Sequence, residues 1–197
     1  KVEIYKDFDS GEPYSGSKAM RRDMNNENHL FIYQTIPDQF GPPGVVYDDH
    51  PLLRPAIIDG KQVTDINGEP MLINDVFRAV HDYYAHGLST AQFGVLGEEA
   101  AWANHMATIK SPWAMWALTS ETRGQNSWFN FSDANKGKAI ADKDFAEQKV
   151  DLLPPEFLLT GNSAIDTRLL ELPISDELRS LIESRYDPVQ PHVNPAE

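Results

Sequence analysis

The chain has 197 residues, 41% of them hydrophobic, with 30 acidic and 17 basic side chains and a net charge of −13. That length and apolar content suit one sizeable core and exclude a chain disordered throughout. The acidic balance disfavours nucleic-acid binding, the lack of cysteine excludes disulfide scaffolds and thiolate sites, and no apolar run reaches the roughly 18 residues that span a bilayer.

The first 28 residues are polar and turn-rich, with Gly11, Pro13 and Gly16, and read as an extension (residues 1–27) ahead of the main domain. His29 to Thr35 has the β-branched and aromatic composition of a strand. Gly41-Pro42-Pro43-Gly44 is a loop, and Val45-Val46-Tyr47 is a candidate second strand. Residues 48 to 70 hold three prolines and two glycines and are expected to be loop, with at most a small hairpin at Asp59-Gly60.

The middle of the chain is helical in pattern. Asn74 as N-cap, Asp75 in the first turn and Gly87 as a stop predict a helix over 75–86. A second helix opens near Gly97 with Glu98 and Glu99 and runs to about Ile109. Ser111 and Pro112 open a third, which is expected to end at Arg123 before a turn at Gly124. A fourth is predicted over Asp176 to Tyr186, capped by Ser175. From Ala141 to Glu197 there are twelve acidic and five basic residues and six prolines, so residues 158–197 are expected to form an acidic, Pro-rich arm outside a helical core spanning 28–157. The fold class expected is therefore mainly α: a compact core of three to four helices, a small β element and an extended C-terminal arm.

Ionisable groups lie on or beside the apolar stripes of these helices. His81 borders the stripe of Phe77, Val80 and Tyr84, and Asp82 and His86 share a face. On the second helix Glu98, Trp102, His105 and Ile109 recur at core spacing, and Glu121 ends the stripe of the third. A buried charge costs several kcal/mol unless it is paired or bound to metal, about 3 to 5 when a partner is missing. His81, His86, Glu98 and His105 are thus candidate ligands of a divalent metal (zinc, iron or manganese), with Glu99, Glu121 and Asp82 as candidate catalytic carboxylates. Arg123, Gln125 and Asn126, in the expected loop after the third helix, are candidates to grip substrate. One difficulty is visible at once. His81 and His86 are five apart, about 140° round an α-helix, so one ion can take both only at a distorted helix end. Blander roles compete: His86 at a helix C-terminus, Glu98 and Glu99 as first-turn acids, His105 as a hydrogen-bonded core residue.

The stretches Asn74 to Gly87, Gly97-Glu98-Glu99-Ala100-Ala101-Trp102-Ala103-Asn104-His105 and Glu121-Thr122-Arg123-Gly124-Gln125-Asn126-Ser127-Trp128, with Phe145 to Pro154, resemble a domain of phage-encoded and mobile-element large proteins. The resemblance spans about residues 28 to 157. It implies a viral or mobile-element origin, in a virion or a host cytoplasm, rather than a reaction. The His-Asp pair at 81–82 is also the dyad of HD-type phosphohydrolases, for which His50 could supply a further ligand. The expected function is a metal-dependent hydrolase. The alternatives are a virion or assembly component that contacts other virion subunits or itself through the arm, and an acidic mimic of nucleic acid. Lys1 in place of Met reads as a processed terminus, in keeping with a virion protein.

Overall fold

The computed structural model describes residues 1–7, 9, 11–37, 40, 49–147 and 150–186. The described residues are mainly α, with two small two-stranded sheets among them. Strand β1 (Val2–Tyr5) pairs in parallel with β2 (Leu30–Tyr33), in register from Val2 opposite Leu30 to Tyr5 opposite Tyr33, and helix α1 (Ser17–Glu27) makes the crossover between them. The expected strand at His29–Thr35 is present. The first 28 residues, expected as turns, carry β1 and α1 instead. Little in the α1 sequence announces a buried face beyond Met20 and Met24 one turn apart; Met20 is buried with Ile4, Leu30, Ile32 and Met71 in a small core that also receives Val76 and Ala79. That layer is the floor on which the next helix rests.

The hairpin predicted at Asp59-Gly60 joins β3 (Ile57–Ile58) to β4 (Lys61–Gln62), with φ of 52° and 74° at the two turn residues, the left-handed pair that matches strand twist. Its return path is pinned by buried Asp65, which accepts from the backbone N–H groups of Ile4, Asn67 and Glu69 at 3.1, 2.8 and 2.9 Å. The candidate strand at Val45–Tyr47 and the loop before it lie outside the described residues.

Helix α2 (Ile73–His81) starts two residues before the expected position. Leu72 is the N-cap, and Asp75 serves as the third-residue acid, accepting from Leu72 N–H at 2.8 Å and from Thr35 N–H at 3.0 Å. Asn74 is buried and donates to Thr35 Oγ1 at 3.0 Å, so it ties the helix to the strand layer rather than capping it. The helix does not stop at His81. It widens into one π-helical segment, Asp82–Gly87.

Helices α3 (Val95–Thr108) and α4 (Pro112–Glu121) follow as the sequence indicates, with Ser111 Oγ accepting from Ala114 N–H at the start of α4. The next segment departs from expectation. Residues after Thr122 form a further helix, α5 (Arg123–Phe131), and Gly124 lies inside it against the Leu153 side chain instead of ending α4. The short helix α6 (Ser163–Asp166) and α7 (Asp176–Tyr186) complete the described elements, α7 within its expected bounds and capped by Ser175 Oγ, which accepts from Leu178 N–H at 3.2 Å.

The main core joins Trp102, Met106, Met115 and Leu118 of α3 and α4 to Leu158, Ile165, Leu169, Leu172, Leu178 and Ile182. Residues 158–186 are therefore core and not an external arm; residues 187–197 lie outside the described residues. The correction has a simple origin. Charge and proline mark what is outside a segment, while Leu169, at 0% exposure, is buried by contacts far away in sequence. Among the described residues no helix is long and apolar enough to cross a membrane.

Candidate metal centre

The site forms where the π segment of α2 meets the first turns of α3. An α-helix would set His81 and His86 about 140° apart, but i→i+5 hydrogen bonding widens the turn and brings residues five apart toward one face. His81, Asp82 and His86 consequently present ligand atoms that all lie within 4.8 Å of one another, a group that could hold a metal ion. Glu98 reaches in from α3: its Oε2 is 3.4 Å from His86 Nε2 and 4.0 Å from His81 Nε2. Two ligands of a tetrahedral ion with bonds near ~2.1 Å are roughly 3.4 Å apart, so these separations need little adjustment.

Glu98 owes its position to Gly97. The loop from α2 crosses the start of α3 so closely that a Cβ at residue 97 would collide with the Gln92 carbonyl. That loop also supplies Ala91, whose carbonyl faces His86 Nδ1 at 3.4 Å. A carbonyl only accepts, so Nδ1 carries a proton, and Nε2, which faces Glu98 and His81, is the nitrogen that offers a lone pair to an ion once its own proton is lost.

His105 takes a different role from the one its spacing suggests. Its Nδ1 is 3.2 Å from His81 Nδ1, while His81 turns its Nε2 toward Glu98. The two histidines meet as expected, but through the nitrogen of His81 opposite to the one nearest Glu98. With His81 Nδ1–H donating to His105 Nδ1, the His81 Nε2 lone pair is free to bind an ion. In the reverse arrangement the Nε2 proton faces Glu98 at 4.0 Å and must leave before an ion binds. Phe77 stacks on both rings, 6.2 Å from His81 and 6.3 Å from His105.

The electrostatics fit imidazole and carboxylate donors. Burial, reinforced by the charges of His86 and His105, pushes His81 down to about 3, and burial lowers His105. Both are neutral bases. Burial pushes Asp82 up to about 6, with Glu98 adding to the rise and His86 and Arg78 opposing it. His86 goes the other way: burial works against its charge, but the hydrogen bond and charge of Glu98, with Asp82, raise it. Asp82 and Glu98 thus share the site with His81, His86 and His105, a donor set of carboxylates and imidazoles suited to a divalent ion.

The remaining candidates are distributed elsewhere. Glu99 points away and is held by Arg123, whose Nε is 3.1 Å from Glu99 Oε2 and whose second amino group is 2.7 Å from Oε1. Arg123 also donates to the Phe157 and Leu159 carbonyls at 2.6 and 3.3 Å and lies 4.2 Å over the Trp102 ring. Asn126 donates to Val95 O at 3.2 Å and accepts from Asn130. These residues clamp α3, α5 and the following chain together. Glu121 accepts from Gln125 at 3.1 Å, and burial raises its pKa against the opposing charge of Arg78. Glu121, Gln125 and His105 line a cavity of about 1120 Å³. His50 lines it too and caps the turn at Pro51–Leu53, outside the His81 group.

The sequence had signalled the His81–His86 spacing and Gly87 without showing that the helix widens there. Phe77, the Ala91 carbonyl and the cavity carried no signal of their own, because each depends on elements that meet only in the fold. No protein-family model matches the chain, and no curated protein or solved structure matches it either.

Proposed function

We propose that the chain is a metal-dependent hydrolase of phage or mobile-element origin, with zinc, iron or manganese held by His81, Asp82 and His86. The observation that carries the reading is the π segment, which turns an unfavourable five-residue spacing into a convergent one at the cost of regular helix geometry. An ion held there supplies Lewis acidity and lowers the pKa of water toward ~7. His105 fixes the His81 ring, and the Ala91 carbonyl fixes His86. Glu98 has a side chain 31% exposed, so it stands on the solvent side and takes the proton from an attacking water.

Metal content of the purified chain, followed by the visible spectrum of the cobalt-substituted form, tests the centre without an assay. His86→Ala should abolish stoichiometric binding. Glu98→Gln should keep the ion and lower turnover on ester, amide or phosphoester substrates by about 10²- to 10⁴-fold. Loss of the ion in Glu98→Gln would make Glu98 a ligand. A chain that binds no divalent ion at micromolar concentration would overturn the reading.

The second reading is a virion or assembly component, associating with virion subunits or with itself, whose His/Glu cluster is structural. It is favoured by the engagement of Glu99, Arg123 and Asn126 within the fold. Under it, metal removal lowers the melting temperature and no substrate turns over.

A further inference from the structure

We propose that the cavity between α2, α4, α5 and the chain around residues 150–154 is a binding site for an uncharged, lipid-like molecule with an apolar body and a hydroxyl or carbonyl head. The inference does not rest on a bound ion. The cavity, about 1120 Å³, is slightly larger than the roughly 300–1,000 Å³ of sites for drug-sized ligands. Phe77, Val80, Ile109, Leu118, Trp128 and Leu153 supply its walls. Several of these stay open to it: Val80 is 38% exposed and Trp128 43%.

A few polar groups interrupt this lining. Glu121 and Gln125 are hydrogen-bonded to each other one turn apart on neighbouring helices, and His105 lines the cavity from α3. An apolar enclosure with a few convergent polar groups orients a molecule that is apolar along most of its length. A sugar or nucleotide would bury many hydroxyls or phosphates against walls that cannot pair them.

Charge decides between an ionised and a neutral head. Glu121, Glu147 and Asp151 line the cavity, and Arg54 is its only Lys or Arg among the described residues. Arg54 already engages Asp49 at 2.6 and 3.1 Å. A fatty carboxylate would therefore enter beside acids with its best counter-ion taken, whereas an alcohol, ester or amide carries no such penalty.

The test uses the full chain, with and without chelator, and the uncharged naphthalene ketone prodan as probe. Its emission should shift to the blue and saturate at one probe per chain. 1-Decanol should displace it at least about tenfold better than decanoate at about pH 8, where the acid is ionised. Ala117 and Ala114 line the cavity and are exposed on α4, so a larger side chain fills the space without disturbing the core. Ala117→Trp should remove saturable binding at an unchanged melting temperature, and Ala114→Trp repeats the test if the first variant folds poorly. Absence of saturation overturns the proposal, as does binding that survives both substitutions. Equal displacement by decanoate overturns the neutral-head assignment. Self-association of the chain that Ala117→Trp abolishes would make a second copy the occupant and also overturn it. The ion measurements above are separate, so failure of one leaves the other standing.

Discussion

His81 is held at Nδ1 by His105 and stacks on Phe77, and its Nε2 is left facing Glu98 at 4.0 Å. That division of labour separates two substitutions that sequence spacing alone would treat alike. His105→Ala should retain the ion with affinity lowered about 10- to 100-fold, while His86→Ala removes it; isothermal titration with zinc distinguishes them. Proton competition gives the sign of the pH effect. His86 has a raised pKa, so it binds a proton more tightly than a free histidine and must release it to bind metal. Zinc affinity should therefore fall as pH drops through the raised His86 pKa, at a higher pH than an unperturbed imidazole would respond. Asp65 makes an independent test of the fold. Burial alone would raise its pKa, but the N–H groups of Ile4, Glu69 and Asn67 outweigh burial and lower it. The stability it contributes is present above the unfolded carboxylate pKa of about 3.9 and is lost as pH falls through its lower folded value. At neutral pH, Asp65→Asn should cost about 1.5 to 3 kcal/mol in a urea titration.

The elements were legible to different depths for identifiable reasons. The Asp59-Gly60 hairpin and the Ser111-Pro112 helix start could be read directly, because turn and cap chemistry is settled within a few residues. The π segment could not. At a regular period of 3.6 residues His81 and His86 fall on different faces, and nothing between them, Asp82 to Ala85, states that the helix will widen; the segment packs against α1 and α3, which meet it only in the fold. Helix α5 was hidden by Gly124, a good stop signal in isolation, which the fold uses to let Leu153 pack closely. Gly97 is the element-level weak point of the site. Gly97→Ala places a methyl group against the Gln92 backbone, which has no rotamer to yield. It should lower stability by about 3 kcal/mol, the upper part of the overpacking range, and reduce zinc affinity by moving Glu98; thermal melts with and without zinc measure both.

At the scale of the whole molecule, the C-terminal third is where sequence reading and structure part. Prolines and a charge of −7 from Ala141 onward suggested an appendage, yet Leu158, Leu169 and Ile182 are completely buried against α3 and α4. Leu169→Ala should therefore cost about 2 to 5 kcal/mol, and a chain ending at Leu153 should lose its cooperative melting transition in calorimetry. The helical class survives the correction; the boundary of the core moves.

Arg123 attaches that third of the protein by an unusual handle. It takes hold of the Phe157 and Leu159 carbonyls, which every amino acid provides, and only Glu99 and Trp102 are engaged through their side chains. Half of the joint is thus blind to residue identity. Phe157 is 46% exposed, so position 157 is free to drift to other residues while the connection persists. Position 123 has no such latitude. Lysine keeps the charge but lacks the planar fork needed to serve a carboxylate, two carbonyls and an aromatic face at once. In a library of random single substitutions, the two ends of the same contact should show opposite tolerances: broad at 157 and narrow at 123.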